Sequence, residues 1–130
     1  ELYAPQTALE KFDVEGHPVI SGDEINGIQV LESDCWGAEE SVSYFYKGIL
    51  HTGDSAAYPT AEGVKVIFSA CFPDYYDEYL SESKRLAPEL VIPFHYDPAE
   101  ELEDAQGLVE QLKNAGIHSR ILGIGESIEV

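Results

Sequence analysis

The sequence predicts an α/β domain of the α+β sandwich type, in which antiparallel strands come first and a βαβαβ series follows. Before residue 55, short β-rich runs are separated by turns, and the Asn26-Gly27 dipeptide is a strong hairpin signal. From Val64 onward, apolar runs of strand length alternate with helical patterns. With 130 residues, 44% of them apolar, the chain is long enough for one domain, 1–130, with a hydrophobic core.

The antiparallel part is predicted to contain one short helix and four strands. Apolar residues on one side of 2–12 indicate the helix, and Pro18–Ile20 and Ile28–Leu31 are the first two strands. Ser41–Tyr46 is rich in β-forming residues, and a Lys-Gly turn leads from it into Ile49–His51.

The second part begins with Val64–Ala70, a continuous apolar run typical of a buried strand. Tyr75–Leu86 fits a helix and Leu90–Phe94 a second strand. We expect the longest helix to open at Pro98 with Asp97 as its N-cap, to bury Leu102, Leu108, Val109 and Leu112, and to stop at Gly116. His118–Ile124 is predicted as the last main strand and Ser127–Val130 as a short terminal one.

The chain is strongly acidic, with 25 Asp and Glu against 7 Lys and Arg, a formal net charge of −18. This charge repels nucleic acid and anionic membrane surfaces, so neither is an expected partner. Acidic, lysine-poor surfaces are also typical of proteins from a high-salt cytoplasm, where self-repulsion is screened, and we favour a halophilic, cytoplasmic origin. The two cysteines give no disulfide framework, and no apolar run reaches 18 residues.

Two candidate metal ligands each follow an apolar run. Asp54 lies in His51-Thr-Gly-Asp-Ser55, where Gly53 permits a tight turn, and His95 lies in Ile92-Pro-Phe-His-Tyr-Asp-Pro98. Because ligand groups gather at strand ends in α/β proteins, a carboxylate and an imidazole so placed suit a zinc site. The alternatives are that Asp54 only caps a turn and that His95 is a hydrogen-bonded polar residue without a ligand role.

Other residues with chemical potential are assigned structural roles. His51 is expected to pack near the site or support it, with a ligand role as the alternative, and His17 and His118 are expected to lie on the surface. Cys35 and Cys71 are more typical of buried structural cysteines than of zinc ligands. Three tyrosines that start the first long helix are expected to pack on its face or to line a pocket: Tyr75, Tyr76 and Tyr79.

Taken in order, these segments resemble the C-terminal half of the metallo-β-lactamase superfamily, over about residues 27–130. The matching features are an antiparallel pair ending in Gly53-Asp54, a βαβ unit, and a strand ending in Pro93-Phe94-His95. The His-Thr-Gly-Asp form and the closing Gly125-Glu126 are most similar to the lactonase-like and general hydrolase branch. The resemblance implies that Asp54 and His95 bind one or two zinc ions.

The chain also departs from the family pattern. The main metal motif, His-x-His-x-Asp-His, is absent, and no histidine lies between His17 and His51 where a further ligand is expected. Either Asp34 or Cys35 substitutes for that ligand, or the site is degenerate. The chain contains no methionine, and we expect it to be a fragment that lacks the N-terminal half of the fold.

The function implied by the resemblance is metal-dependent hydrolysis of a small-molecule ester, lactone or phosphoester. Zinc would lower the pKa of a bound water and polarise the substrate carbonyl or phosphoryl oxygen. No residue is assigned as general acid or base. The alternative is a non-catalytic binding or scaffold domain with a degenerate metal site. Because half of the fold would leave one sheet face uncovered, we expect a homo-oligomer or poor solubility for this chain alone.

Overall fold

A six-stranded mixed sheet organises the chain in the computed structural model, which describes residues 1–130. A two-stranded sheet and three helices complete this mixed α/β domain. In chain order the elements are β1 (Tyr3–Ala4), α1 (Gln6–Lys11), β2 (His17–Pro18), β3 (Glu24–Ile25), β4 (Ile28–Glu32), β5 (Val42–Tyr46), β6 (Ile49–His51), β7 (Val66–Ala70), a 3₁₀ turn (Pro73–Tyr75), α2 (Tyr76–Leu86), β8 (Leu90–Phe94) and α3 (Leu102–Asn114).

The strands of the large sheet follow one another in sequence order from β3 to β8. Pairing is antiparallel from β3 to β6 and parallel from β6 to β8. Asn26 and Gly27 have φ angles of 53° and 85° and join β3 to β4, as a two-residue hairpin with both central φ angles positive requires. The predicted change from antiparallel strands to a βαβ unit at Val64–Ala70 is confirmed.

The hydrophobic core lies between one face of this sheet and the two long helices. Leu50, Ile67 and Val91 project from neighbouring strands and pack in one cluster with helix residues that include Leu108 and Leu112. All five side chains are fully buried. None of the helices is long and apolar enough to cross a membrane.

The longest helix begins later than the sequence predicted. α3 starts at Leu102, because Asp97 organises a separate turn ahead of it. The Asp97 carboxylate accepts the amide hydrogen of Ala99 at 2.7 Å, and the Asp97 carbonyl accepts that of Glu101 at 2.7 Å. Asp97 therefore caps this turn and not the helix, so its predicted N-cap role is wrong. The predicted stop is confirmed, since Gly116 follows the helix with a φ angle of 77°.

The predicted strands at 118–124 and 127–130 are absent. The chain makes a single parallel bridge, Ser119 to Val91, on the open edge of β8. The next residue of β8 whose backbone groups face this open edge is Pro93. Proline has no N–H to donate, so the ladder does not continue. Beyond the bridge the chain folds on itself, with Arg120 paired to Glu126.

The N-terminal segment contains shorter elements than expected. Pro5 precedes α1, which covers only part of the predicted 2–12 helix. The strand predicted at Pro18–Ile20 is limited to His17–Pro18, which pairs in parallel with Tyr3–Ala4.

The second face of the large sheet carries apolar side chains without a helix over them. Side chains alternate along strands, so Tyr44, Ile49 and Phe68 point away from the face that packs on α2 and α3. All three are partly exposed, and an apolar groove of about 440 Å³ borders this face beside the N-terminal residues. Exposed apolar surface of this kind favours association.

We therefore expect the chain to self-associate at micromolar concentration. Sedimentation velocity should show a mass that rises with concentration, and Phe68→Glu should shift it toward the monomer. Phe12→Glu is the matched control, because Phe12 is 68% exposed and lies just after α1. A wild-type chain that sediments as a sharp monomer would contradict the expectation.

Candidate functional site

The structure brings Asp54 and His95 together at the end of the sheet where the parallel strands β6, β7 and β8 finish. Asp54 follows β6 and His95 follows β8, and the carboxyl ends of these parallel strands lie on either side of β7. His95 Nε2 is 3.5 Å from Asp54 Oδ1, and the two side chains are 47% and 43% exposed. The pair is thus accessible from solvent at the edge where α/β proteins place ligand groups.

The turn that carries Asp54 is fixed by buried hydroxyl residues on both sides. Thr52 and Ser55 are fully buried, and the Thr52 carbonyl accepts a hydrogen bond from Ser43 Oγ at 3.0 Å. Ser55 Oγ donates to the Ala57 carbonyl at 2.7 Å. Ser55 thus closes the turn, and the Asp54 carboxylate faces His95.

Gly53 gives the turn its direction. Its φ angle is 61°, in the left-handed region that residues with a Cβ adopt only at a cost. The tight turn predicted before Asp54 is therefore confirmed.

His95 has an unusual backbone for a residue that is not glycine. Its φ angle is 62°, and its ring packs edge-on against Phe72, with 4.9 Å between ring centroids. A left-handed conformation costs an L-residue about 1–2 kcal/mol. Four other residues that are not glycine share this conformation, so it does not by itself mark a functional site: Asp13, Asn26, Lys47 and Ala87.

The spacing of the pair fits two ligands of a single zinc ion. With zinc–ligand distances of about 2.0–2.2 Å and a tetrahedral angle, two ligand atoms lie about 3.4 Å apart. The observed 3.5 Å between Nε2 and Oδ1 agrees with this geometry. However, the chain contains no group of three or more His, Cys, Asp or Glu residues that could hold a metal ion. Neither Asp34 nor Cys35 therefore forms a three-ligand group with Asp54 and His95, so the structure disagrees with the first alternative, substitution for the missing histidine, and leaves the second, a degenerate site.

Asp54 also borders an open cleft of about 350 Å³. Asp34 reaches this cleft because its backbone amide donates to Ser55 Oγ at 3.3 Å. Carboxylates and two aromatic side chains dominate the lining, which makes the cleft a poor site for an anion. Its lining residues are Asp34, Trp36, Asp54, Ala56, Ala57, Tyr75, Glu78, Ser81 and Glu82.

His51 contacts the neighbours of both Asp54 and His95. Its Nδ1 accepts the Gly53 amide hydrogen at 3.2 Å, and its ring centroid is 4.4 Å from that of Phe94. Burial of part of the ring lowers the pKa of His51, although the residue as a whole is exposed, and the charge of Asp54 acts in the opposite direction. His51 thus packs beside the site, in line with its predicted supporting role.

The lowered pKa of His51 predicts a loss of stability in mild acid. The folded protein binds this proton less readily than the unfolded chain, whose histidine has a pKa of about 6.5. The stabilising contribution is therefore complete above about pH 6.5 and decreases as the pH falls toward the folded-state pKa. Urea unfolding at pH 7.5 and 5.5 measures the free energy of unfolding of the wild type and of His51→Phe. Between these two pH values the wild type should lose more stability than the variant, and equal losses would contradict the prediction.

The remaining candidates have structural positions. Cys71 is buried, donates from Sγ to the Phe94 carbonyl at 3.2 Å, and has a pKa raised by burial to about 12. Cys35 is partly buried and unpaired. His17 stacks on Tyr3 at the surface, and His118 is exposed.

The three tyrosines divide between the two roles that were predicted for them. Tyr75 lines the cleft beside Asp54. Tyr76 donates to the Asp104 carbonyl at 2.5 Å and so ties α2 to α3, while Tyr79 is fully buried in the core.

Sequence reasoning missed the importance of Thr52 and Ser55. Neither residue is assigned a role from the sequence, yet both are fully buried and their hydrogen bonds hold the Asp54 turn. The available signal was their position on each side of Gly53-Asp54, since short hydroxyl side chains commonly close such turns.

Comparison with protein-family models and with curated proteins gives no match to this chain.

Proposed function

We propose that the chain is part of a metal-dependent hydrolase domain of metallo-β-lactamase type, in which Asp54 and His95 bind zinc. The observation that carries the proposal is the 3.5 Å approach of His95 Nε2 to Asp54 Oδ1 at the carboxyl ends of two parallel strands. The sequence order of the motifs supports the same family and the C-terminal half of its αββα fold. Two ligands leave the other positions of a tetrahedral zinc ion open, so we expect this chain to bind zinc with fewer protein ligands than a closed structural site has.

In this proposal, two residues would bind the metal and two would position a ligand. Asp54 and His95 would hold the metal, and Thr52 and Ser55 would keep the Asp54 carboxylate aimed at it. When bound, zinc supplies Lewis acidity and activation of water for hydrolysis near neutral pH. The left-handed backbone of His95 is consistent with a residue held in place for a ligand role.

The cleft beside Asp54 bears on the substrate. Its carboxylates repel an anionic group, so a neutral ester or lactone fits better than a phosphoester. The aromatic rings of Trp36 and Tyr75 offer apolar surface to such a molecule.

Zinc titration of the chain by isothermal calorimetry tests the metal site. We expect binding that Asp54→Asn weakens by more than about tenfold, because even loss of an outer partner of a ligand costs about 10–100-fold. Asp13→Asn is the matched control, since Asp13 lies after α1 and asparagine tolerates its φ angle of 50°. Equal affinity of the wild type and Asp54→Asn would refute the proposal.

A non-catalytic binding or scaffold domain is the second candidate. It is favoured by the absence of a three-ligand group within the chain. Zinc-loaded protein assayed with a neutral lactone and a neutral ester separates the two functions. Turnover that is lost in Asp54→Asn supports the hydrolase, whereas zinc binding without turnover supports the binding domain.

A further inference from the structure

The two loops that carry Asp54 and His95 come from strands that do not pair with each other. β7 lies between β6 and β8, so no ladder hydrogen bond joins β6 to β8 directly. Both side chains are about half exposed, and the 3.5 Å approach of His95 to Asp54 is a contact between solvent-accessible groups. Such a contact is worth little by itself and needs support from other residues to persist.

His51 supplies a connection between these loops. On one side, its Nδ1 accepts the amide hydrogen of Gly53, the residue that directly precedes Asp54. On the other side, its ring lies 4.4 Å, centroid to centroid, from the ring of Phe94, the residue that directly precedes His95. One imidazole therefore contacts both neighbours of the proposed ligands.

The position of His51 in the sheet supports this connection, although the residue is exposed. His51 is the last residue of β6 and is paired in register with Phe68 of β7, whose ring is 6.0 Å away and nearly parallel, at 19°. The ring is thus placed by a strand and by two aromatic neighbours, and not by a loop. Side chains held in this way give metal ligands their orientation.

We infer that His51 is a positioning residue that holds Asp54 and His95 in their mutual geometry, through the Gly53 amide on one side and the Phe94 ring on the other. This inference rests on the proposed function for its relevance to zinc, but the geometry that it describes exists without metal. The hydrogen bond adds to the support that Thr52 and Ser55 give the Asp54 turn, and the ring contact supports the end of β8.

Two substitutions separate the two contacts. His51→Phe keeps a ring against Phe94 and removes the acceptor, whereas His51→Asn keeps an acceptor oxygen near the position of Nδ1 and removes the ring. His17→Phe is the matched control, because it makes the same change at another exposed histidine, which stacks on Tyr3 in the small sheet away from Asp54 and His95. Far-UV circular dichroism and dispersed NMR spectra establish that each variant is folded.

The metal-free readout is NMR. In His51→Phe, we expect faster hydrogen exchange of the Gly53 amide and a weaker nuclear Overhauser effect between the His95 ring and the Asp54 side chain. In His51→Asn, the Gly53 amide should keep its slow hydrogen exchange, while the nuclear Overhauser effect between His95 and Asp54 weakens. If His51→Phe does not fold, the nuclear Overhauser effect in His51→Asn decides. Wild-type exchange and wild-type cross-peaks in the folded variants would overturn the inference.

The zinc readout distinguishes this inference from the proposed function. Calorimetry should give a zinc affinity about 10–100-fold lower in His51→Phe and unchanged in His17→Phe. If the wild type binds no zinc but the NMR changes occur, the metal proposal fails and the positioning role stands. If zinc binds the wild type and His51→Phe equally, with unchanged NMR, the positioning role fails and the metal proposal stands.

Discussion

Replacing Leu50 by alanine is expected to lower the free energy of unfolding by about 3 kcal/mol, because large-to-small substitutions in a packed core cost about 2–5 kcal/mol. Leu50 is fully buried and lies in the core cluster between the sheet and the helices α2 and α3. Its strand, β6, pairs with β5 on one side and β7 on the other, so the cavity cannot be closed by moving an edge strand. Urea unfolding followed by far-UV circular dichroism measures the change.

Leu2→Ala is the matched control for this substitution. Leu2 is 47% exposed, so the same loss of side-chain atoms removes less buried surface and should cost less than about 1 kcal/mol. Because β6 leads directly into Gly53-Asp54, Leu50→Ala should also weaken zinc binding without touching a ligand. A cost at Leu50 no larger than at Leu2 would contradict the assignment of this face of the sheet to the core.

The local parts of the fold were predictable because short-range rules determine them. Asn26-Gly27 adopts the two positive φ angles that its sequence favours, and the hairpin follows from it. Tyr75–Leu86 was predicted as a helix, and α2 ends where predicted, before Pro88. These elements depend on a few neighbouring residues, so no tertiary information was needed.

The errors arose where a tertiary contact decides the outcome. Residues 118–124 have the apolar content of a strand, but pairing requires a partner edge with free N–H groups, and Pro93 removes one from β8. Asp97 has a strong cap signal, but it serves a turn that precedes α3 by several residues. In both cases the local pattern was recognised, but the backbone groups with which these residues pair were not.

The two residues of the candidate site were predictable from the sequence, but the contacts that hold them in place were not. Asp54 and His95 each follow a strand, and topology alone places parallel strand ends at one edge. The left-handed backbone of His95 has no local sequence signal, because histidine is not a residue that demands it. His51 contacts Gly53, its close neighbour in sequence, and Phe94, which is 43 residues away. The second contact forms only in the folded chain.

The backbone of His95 predicts an inverted order of stability for two substitutions. His95→Gly should be more stable than His95→Ala by about 1 kcal/mol, because alanine at a φ angle of 62° still carries the left-handed penalty and glycine does not. Ser81, exposed within α2, is the matched control, and there the alanine variant should be the more stable by about 1 kcal/mol. Thermal and urea unfolding of the four variants measure both differences.

Zinc affinity should respond differently from stability at this position. Both His95 variants lose the imidazole and should bind zinc more than about tenfold more weakly, even though the glycine variant relieves backbone strain. The His95 ring has a packing contact with Phe72 and a polar contact with Asp54, and zinc affinity separates the ligand role from the packing role. If His95→Gly kept wild-type zinc affinity, the imidazole would have no ligand role, and the strain at His95 would have to be explained by its contact with Phe72.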